Sequence, residues 1–141
     1  MYNIIMIYSI YGTLALKKEN YAVVEAGGIG FKIFMPKSIV ANLPDAGASV
    51  KIFSYLNVKQ DGMDLYGFLS PKELELFERL ISVSGVGPKS ALGIMGVAAA
   101  DQIAAAINEG KSELLTRVSG VGKKTAERVV LELKGKLSLT S

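Results

Sequence analysis

One nine-residue segment occurs twice in this chain, and the repeat restricts the possible fold more than any other feature. VSGVGPKSA occupies residues 83–91 and VSGVGKKTA occupies 118–126, so the copies differ only at Pro88/Lys123 and Ser90/Thr125. Each copy lies between two segments with helical periodicity. The alternating glycines permit a tight turn and let another backbone approach closely. The repeat therefore predicts two equivalent helical hairpins within one small domain.

Both copies also have the pattern of a phosphate-binding site. A helix is predicted to begin directly after the second glycine, at Pro88 in one copy and at Lys123 in the other. A helix start presents free backbone N–H groups and the positive end of the helix dipole. Lys89 and Lys124 then add positive charge at the same place in each copy. A glycine turn that only packs two helices together would not require either lysine.

We therefore predict DNA binding by the two turns. Contacts with phosphates and sugars position a protein without reading base sequence, and they weaken as salt rises. Residues 83–136 carry eight Lys/Arg against five Asp/Glu, which places the positive excess of the chain (net +3) in this region. The predicted DNA-binding residues are Gly85, Val86, Gly87, Lys89, Ser90, Gly120, Val121, Gly122, Lys123, Lys124, Thr125 and Arg128. Val86 and Val121 are also expected to pack each turn into its helix pair.

Composition argues against catalysis. The chain has no Cys and no His, which excludes disulfides, thiolate zinc sites and a Ser–His–Asp triad. We predict no catalytic residue, no metal site and no cofactor. GGIG at 27–30 precedes a strand rather than a helix, so it does not indicate a dinucleotide loop. Gly110-Lys111-Ser112 ends like a nucleotide-binding phosphate loop, but Ala105 stands where that loop needs glycine.

Two alternatives to plain DNA binding come from other classes of protein. A DNA glycosylase or lyase uses a similar hairpin with a lysine, but it also needs an aspartate further downstream, and no Asp follows Asp101. A purely structural oligomerisation module would suit the high apolar content. That module leaves Lys89 and Lys124 unexplained.

The first half of the chain has a β pattern. A first strand is predicted in YSIYGTL, a hairpin at 21–36 around Gly27-Gly28, and a second hairpin at 48–68 around Asp61-Gly62. Five or six short strands of this kind predict a small closed barrel. The apolar start of the chain lacks a basic segment and is interrupted by polar residues, so neither a signal peptide nor a membrane span is predicted. Met6 would serve as a start as well as Met1.

The second half is helical. Ser70-Pro71-Lys72-Glu73 has a capping serine, proline at the first helical position and glutamate at the third, which together predict a helix start. Further helices are predicted at about 88–96, 99–109, 112–118 and 123–136. We therefore place a barrel domain at 1–68, a helical domain at 69–137 with hairpin motifs at about 78–96 and 112–135, and a polar tail at 138–141.

Four segments resemble the RuvA family of Holliday-junction-binding proteins. VSGVGKKTAERVVLELKGKL is similar to the family's second helix-hairpin-helix motif, VSGVGPKSAL to its first, VEAGGIGFKIFMP to its barrel hairpin and DLYGF to its last barrel strand. The resemblance runs from about Met6 to Leu137. It implies an α+β chain, with an N-terminal OB-fold β-barrel followed by an all-α domain with tandem helix-hairpin-helix motifs.

The resemblance also implies a function. Family members are non-catalytic, hold four-way junction DNA open as homotetramers or as octamers of two tetramers, and recruit a RuvB-type AAA+ motor for branch migration. This implies a role in DNA recombination and repair, on DNA in the bacterial cytoplasm, with no membrane partner. A generic helix-hairpin-helix protein for duplex DNA is the alternative.

Two features of the sequence depart from the family pattern. The family has an acidic pair, called the acidic pin, in the loop that corresponds to residues 59–64, and the pin repels phosphates at the tetramer centre. Gln60 stands beside Asp61 here, so part of that charge is lost, and Asp64 is a candidate to compensate. Family members also continue into a third domain that contacts the motor, whereas this sequence stops at Ser141. We therefore expect junction binding without activation of the motor.

Overall fold

The computed structural model describes residues 7–137, which form two compact units. One unit ends at Leu74 and the other begins at Glu75. This division lies inside the helix Pro71–Ile81 rather than at the predicted boundary after Phe68. The first turn of that helix is therefore counted with the barrel. Each unit is described separately below.

The first unit is a closed barrel of five strands. They are β1 (Ser9–Lys17), β2 (Tyr21–Ala26), β3 (Ile29–Phe34), β4 (Ser49–Lys59) and β5 (Gly62–Phe68). Their order around the barrel is β1-β2-β3-β5-β4, with β3 and β5 parallel and every other pair antiparallel. A short helix, α1 (Lys37–Ala41), connects β3 to β4. The predicted OB-fold is confirmed, although α1 was not among the predicted elements.

The barrel interior is made by alternate residues of its strands. Because successive side chains of a strand point to opposite faces, apolar residues at every second position line one side of the sheet. In this barrel they are almost completely removed from solvent: Ile10, Leu14, Ala22, Val24, Ile33, Val50 and Ile52. The outward positions of the same strands are largely exposed.

The two hairpin turns of the barrel differ in their conformation. Gly27 and Gly28 have φ of 60° and 81° and connect the paired residues Ala26 and Ile29, which is the predicted two-residue turn. In the β4–β5 hairpin, Lys59 pairs with Gly62. The turn residues there are Gln60 and Asp61, so the prediction of an Asp61-Gly62 turn was wrong by one residue.

The second unit is built from short helices. They are α2 (Pro71–Ile81, which starts in the first unit), α3 (Pro88–Ile94), α4 (Ala100–Asn108), a single 3-10 turn (Leu115–Arg117) and α5 (Lys123–Leu133). At the start of α2, the Glu73 amide donates to Ser70 Oγ (3.2 Å) and Glu73 Oε1 accepts from the Leu69 amide (3.0 Å). The capping serine and glutamate predicted at this helix start are confirmed.

The helix predicted at 112–118 is wrong. Only Leu115–Arg117 is helical there, because the chain must reach the extended conformation of Val118 before the next turn. The preceding helix α4 ends in a Schellman motif, in which the Lys111 amide donates to Ala106 O (2.8 Å) and the Gly110 amide donates to Ile107 O (3.0 Å). Gly110 has a φ of 81° and Gly110-Lys111 is thus a helix end.

Within residues 7–137, no helix is long and apolar enough to span a bilayer.

Candidate nucleic-acid interface

The two repeated segments have the same backbone conformation. Gly85 and Gly120, the first glycine of each copy, have φ of 91° and 87°, a region that L side chains rarely adopt. Gly87 and Gly122, the second glycines, are extended, with φ/ψ of −92°/176° and −80°/173°. We call residues 83–89 the first hairpin turn and residues 118–124 the second hairpin turn. The nine-residue sequence repeat therefore corresponds to a repeat of backbone conformation.

The side chains that pack the two hairpins also correspond. In both turns the second valine donates its amide to the carbonyl of the first valine over 3.0 Å. Corresponding positions in the two hairpins are buried: Val83 and Val118, Val86 and Val121, Ala91 and Ala126, Ile94 and Val129. The hairpins therefore use equivalent cores to hold equivalent turns.

The second glycine of each turn is not required by the fold. Gly87 and Gly122 have backbone angles that any residue adopts, and a Cβ built at either position has no atom within 4 Å. Because glycine has no side chain, the backbone at these two positions stays accessible from the open space beside it. An approaching group such as a phosphate can therefore come within hydrogen-bonding distance of the amides that follow.

Backbone donors are available at both turns. The Ala126 amide donates to Gly122 O (2.9 Å), and the Ala91 amide donates to Gly87 O (3.0 Å), which closes the first helical turn in each case. The amides before these positions have no earlier helical carbonyl to bond. Neither Gly87 nor Gly122 can supply a side-chain cap. Each turn thus leaves a small set of N–H groups without a helical acceptor.

The basic side chains of the turns are also available to a partner. Lys89, Lys123, Lys124 and Arg128 are exposed, and none of them pairs with a carboxylate within residues 7–137. Lys111, by contrast, lies 3.1 Å from Glu109 Oε1. The four cations therefore contribute uncompensated positive charge.

The two turns differ in the donors and charges that they present, and the sequence repeat did not predict this difference. Pro88 has no amide, whereas Lys123 at the same position supplies both an N–H and a charge. Arg128 corresponds to Gly93 in the first hairpin, where a Cβ would stand 2.7 Å from Val118 Cγ1. Close packing thus keeps an arginine out of the first hairpin. The second hairpin turn has more donors and more charge.

The structure changes the role of two predicted contact residues. Val86 and Val121 are 5% and 4% exposed, so their side chains belong to the core and only their backbone can face a ligand. Their predicted packing into the helix pair is confirmed. Ser90 and Thr125 are half-buried, and Thr125 Oγ1 lies 3.9 Å from the position that a Cβ of Gly85 would occupy. The first hairpin turn is therefore a neighbour of the start of α5.

The tip of the β4–β5 hairpin carries the residues predicted to form a pin. Gln60 and Asp61 are the exposed turn residues. Asp64 does not add a free charge, because Lys59 Nζ lies 2.9 Å from Asp64 Oδ2. The hydrogen bond to Asp64 and the attraction of its charge raise the pKa of Lys59. Asp61 forms no ion pair among the described residues, although its charge also helps to raise the pKa of Lys59.

The described part of the chain offers no evident metal site. Within residues 7–137, no group of three or more His, Cys, Asp or Glu side chains is arranged to hold a metal ion.

A closed OB-fold barrel followed by two helix-hairpin-helix units defines a class of DNA-binding proteins. Residues 6–67 match the RuvA N terminal domain, and residues 77–136 match the SAM-like helix-hairpin-helix tandem. The chain is 46% identical over 132 residues to the Holliday junction branch migration complex subunit RuvA of Thermoanaerobacter sp. (strain X514), covering 94% of this chain and 71% of that protein.

Further relatives give the same result. The identically named subunit of Roseiflexus sp. (strain RS-1) is 46% identical over 134 residues, covering 95% of this chain and 68% of the relative. That of Solibacter usitatus is 49% identical over 133 residues, covering 94% of this chain and 67% of the relative. The chain belongs to the RuvA family.

Proposed function

We propose that this chain binds four-way DNA junctions as the non-catalytic DNA-binding subunit of a branch-migration complex. The relatives at 46–49% identity are named as the Holliday junction subunit of such a complex. In this proposal the ATPase is a separate RuvB-type motor, and the site of action is bacterial DNA in the cytoplasm. The observation that carries the proposal is the pair of equivalent turns, each with an open glycine before a helix start.

The proposed binding mechanism uses backbone amides and lysines together. Amides after Gly87 and Gly122 donate to phosphate oxygens, and the exposed ammonium groups of Lys89, Lys123 and Lys124 neutralise the same phosphates. Hydrogen bonds to charged oxygens stabilise a complex by about 1.5–3 kcal/mol each. None of these groups reads a base edge, so binding is independent of sequence. Two turns in one unit hold neighbouring phosphates of one duplex arm.

We further propose that the barrel, residues 1–68, forms the centre of a homotetramer, alone or paired as an octamer, while residues 69–137 bind the arms. An apolar groove of about 510 Å³ on the barrel supports this proposal. It is lined in part by Val58 and Met63, which are 50% and 68% exposed and flank the turn with Gln60 and Asp61. Exposed apolar surface of this kind is typical of contacts between proteins. Four copies around an axis would bring four Asp61 carboxylates to the crossover.

The proposal is tested by comparing a synthetic four-way junction with a linear duplex of the same arm sequence. Fluorescence anisotropy at about 50 and 200 mM salt measures both affinities. We expect tighter binding to the junction at both salt concentrations, because several subunits hold several arms at once. Affinity for either DNA should fall steeply with salt. Equal affinity for the two DNAs would support a generic duplex-binding protein instead, and no binding at the lower salt would leave the hairpins as packing elements.

The Asp61→Asn variant is expected to bind the junction about two- to fivefold more tightly at low salt. A single carboxylate close to phosphates at the surface costs about 1 kcal/mol or less, and the cost is screened by salt. The gain should therefore disappear at about 1 M salt, where the Debye length is about 3 Å. Anisotropy titrations with Asp45→Asn, a change at another exposed barrel aspartate, provide the control. An equal gain in both variants would show a general charge effect rather than a pin.

A further inference from the structure

The outer surface of the barrel carries exposed aromatic side chains that the proposed function does not use. Tyr11 of β1 is 68% exposed, and Tyr8, which directly precedes β1, is 51% exposed. Phe53 of β4 lies beside Tyr8, with the two ring centroids 5.8 Å apart in an edge-to-face arrangement. We call Tyr8, Tyr11, Lys51 and Phe53 the aromatic patch.

Lys51 places a positive charge within the aromatic patch. It lies directly opposite Tyr11 in the β1–β4 register, and its Nζ is 5.4 Å from the centroid of the Phe53 ring. Neither strand contains an Asp or Glu, since β1 reads SIYGTLALK and β4 reads SVKIFSYLNVK. Glu25 of β2, opposite Thr13, borders the patch on one side. The patch itself is therefore suited to an anionic ligand.

The residues around the rings favour nucleic acid over protein as the ligand. Ser9, Thr13 and Ser49 face outward beside the patch and are exposed. The centres of protein–protein interfaces are depleted in Lys and Ser. Rings interleaved with a cation and hydroxyl donors are instead typical of surfaces that bind single-stranded nucleic acid, where bases stack on the rings and the backbone meets the charge.

The spacing of the patch favours single strands over duplex. Tyr8 and Tyr11 are three residues apart, which is about 10 Å along an extended segment. Bases within a duplex are stacked at about 3.4 Å and present only their edges. Rings on a sheet face can therefore receive only bases that have left the stack. OB-fold barrels as a class bind oligonucleotides on the face of strands 2 and 3, whereas the aromatic patch lies at β1 and β4.

We propose that the aromatic patch is a binding site for single-stranded DNA. Unpaired bases stack on Tyr8 and Tyr11, the Phe53 ring supports Tyr8, and Lys51 contacts a phosphate. Branch migration breaks base pairs before it forms new ones, so unpaired DNA arises where such a protein works. The site lies on the barrel and goes beyond the junction-binding role of the hairpins.

A labelled oligothymidylate of about 16 nucleotides tests the proposal, because it forms no duplex and matches the footprint of one barrel. Anisotropy with the full chain is measured for the unmodified protein and for Tyr11→Ala, Tyr11→Phe and Lys51→Gln. We expect Tyr11→Ala to bind about fivefold or more weakly and Tyr11→Phe, which keeps the ring, to bind nearly normally. Lys51→Gln should lower the salt slope by about 0.7. Thermal melts confirm that each variant is folded.

Two further measurements separate this proposal from the role of the hairpins. Tyr11→Ala should bind the four-way junction as the unmodified protein does, and Gly87→Ala/Gly122→Ala should bind the oligothymidylate normally. If Gly87→Ala/Gly122→Ala loses oligothymidylate binding, single strands bind at the hairpin turns and the proposal is overturned. If light scattering gives a different molecular mass for Tyr11→Ala than for the unmodified protein, Tyr11 lies in a contact between copies. That result would overturn the proposal as well. Oligothymidylate binding without any junction binding would leave the patch intact and refute only the junction role.

Discussion

Replacing Gly87 and Gly122 together by alanine is expected to weaken junction binding about a hundredfold without weakening the fold. A Cβ at either position meets open space in the free protein, so the cost appears only when a phosphate approaches. Loss of even one charge-assisted hydrogen bond at each turn costs about 1.5 kcal/mol. That is about tenfold per turn, and the two turns are separate contacts. Anisotropy titration of the junction measures the loss.

The free energy of unfolding of this variant should stay equal or rise, although its affinity for the junction falls. Alanine adopts the observed angles of Gly87 and Gly122 easily, so the substitution mainly restricts the unfolded chain and stabilises by about 0.4–1 kcal/mol per site. Urea titration should therefore show equal or greater stability. Gly96→Ala is the control, since Gly96 is exposed in the same unit and its Cβ would meet only ordinary contacts, the nearest at 3.4 Å.

The corresponding changes at the first glycines would not be as informative. Gly85 and Gly120 have positive φ, where a side chain strains the backbone by about 1–3 kcal/mol. Weak binding by such a variant could arise from a disturbed turn. Unchanged junction affinity in Gly87→Ala/Gly122→Ala, by contrast, would show directly that phosphates do not approach these turns.

Neutralising the second hairpin turn is expected to cost more affinity than neutralising the first. Each lysine that pairs with a phosphate contributes about 0.9 to the slope of log affinity against log salt. Lys123→Ala/Lys124→Ala should therefore reduce the slope by about 1.8, and Lys89→Ala by about 0.9. Alanine is the best helix former, so neither change should weaken the helix that follows. Titrations at several salt concentrations measure both slopes.

The expected asymmetry has two structural causes. Pro88 removes one amide from the first hairpin turn, and close packing of Gly93 against Val118 prevents an arginine there equivalent to Arg128. Lys111→Ala provides the control, because that lysine already pairs with Glu109 and should leave the slope unchanged. A loss for Lys89→Ala equal to or larger than that of the double variant would contradict the asymmetry.

Much of the architecture was predictable from local patterns in the sequence. Alternating apolar residues predicted the barrel, and Ser70 with Glu73 predicted the start of α2, because strand faces and helix caps are determined by residues close together in the chain. The repeat predicted two equivalent turns for the same reason. The helix predicted at 112–118 failed, since the end of α4 and the next hairpin turn leave room for only one 3-10 turn.

The sequence by itself determined that this chain has two matching glycine turns, each followed by a helix start and a lysine, behind a small barrel. Only the tertiary structure decided which parts of those turns face outward. It left Gly87 and Gly122 open, excluded a side chain at Gly93 and, in the barrel, paired Asp64 with Lys59. The physical reason is that burial, open space and the Gly93–Val118 contact depend on packing between residues far apart in the chain. Local patterns fix the backbone of a turn, but not which of its sides remains accessible.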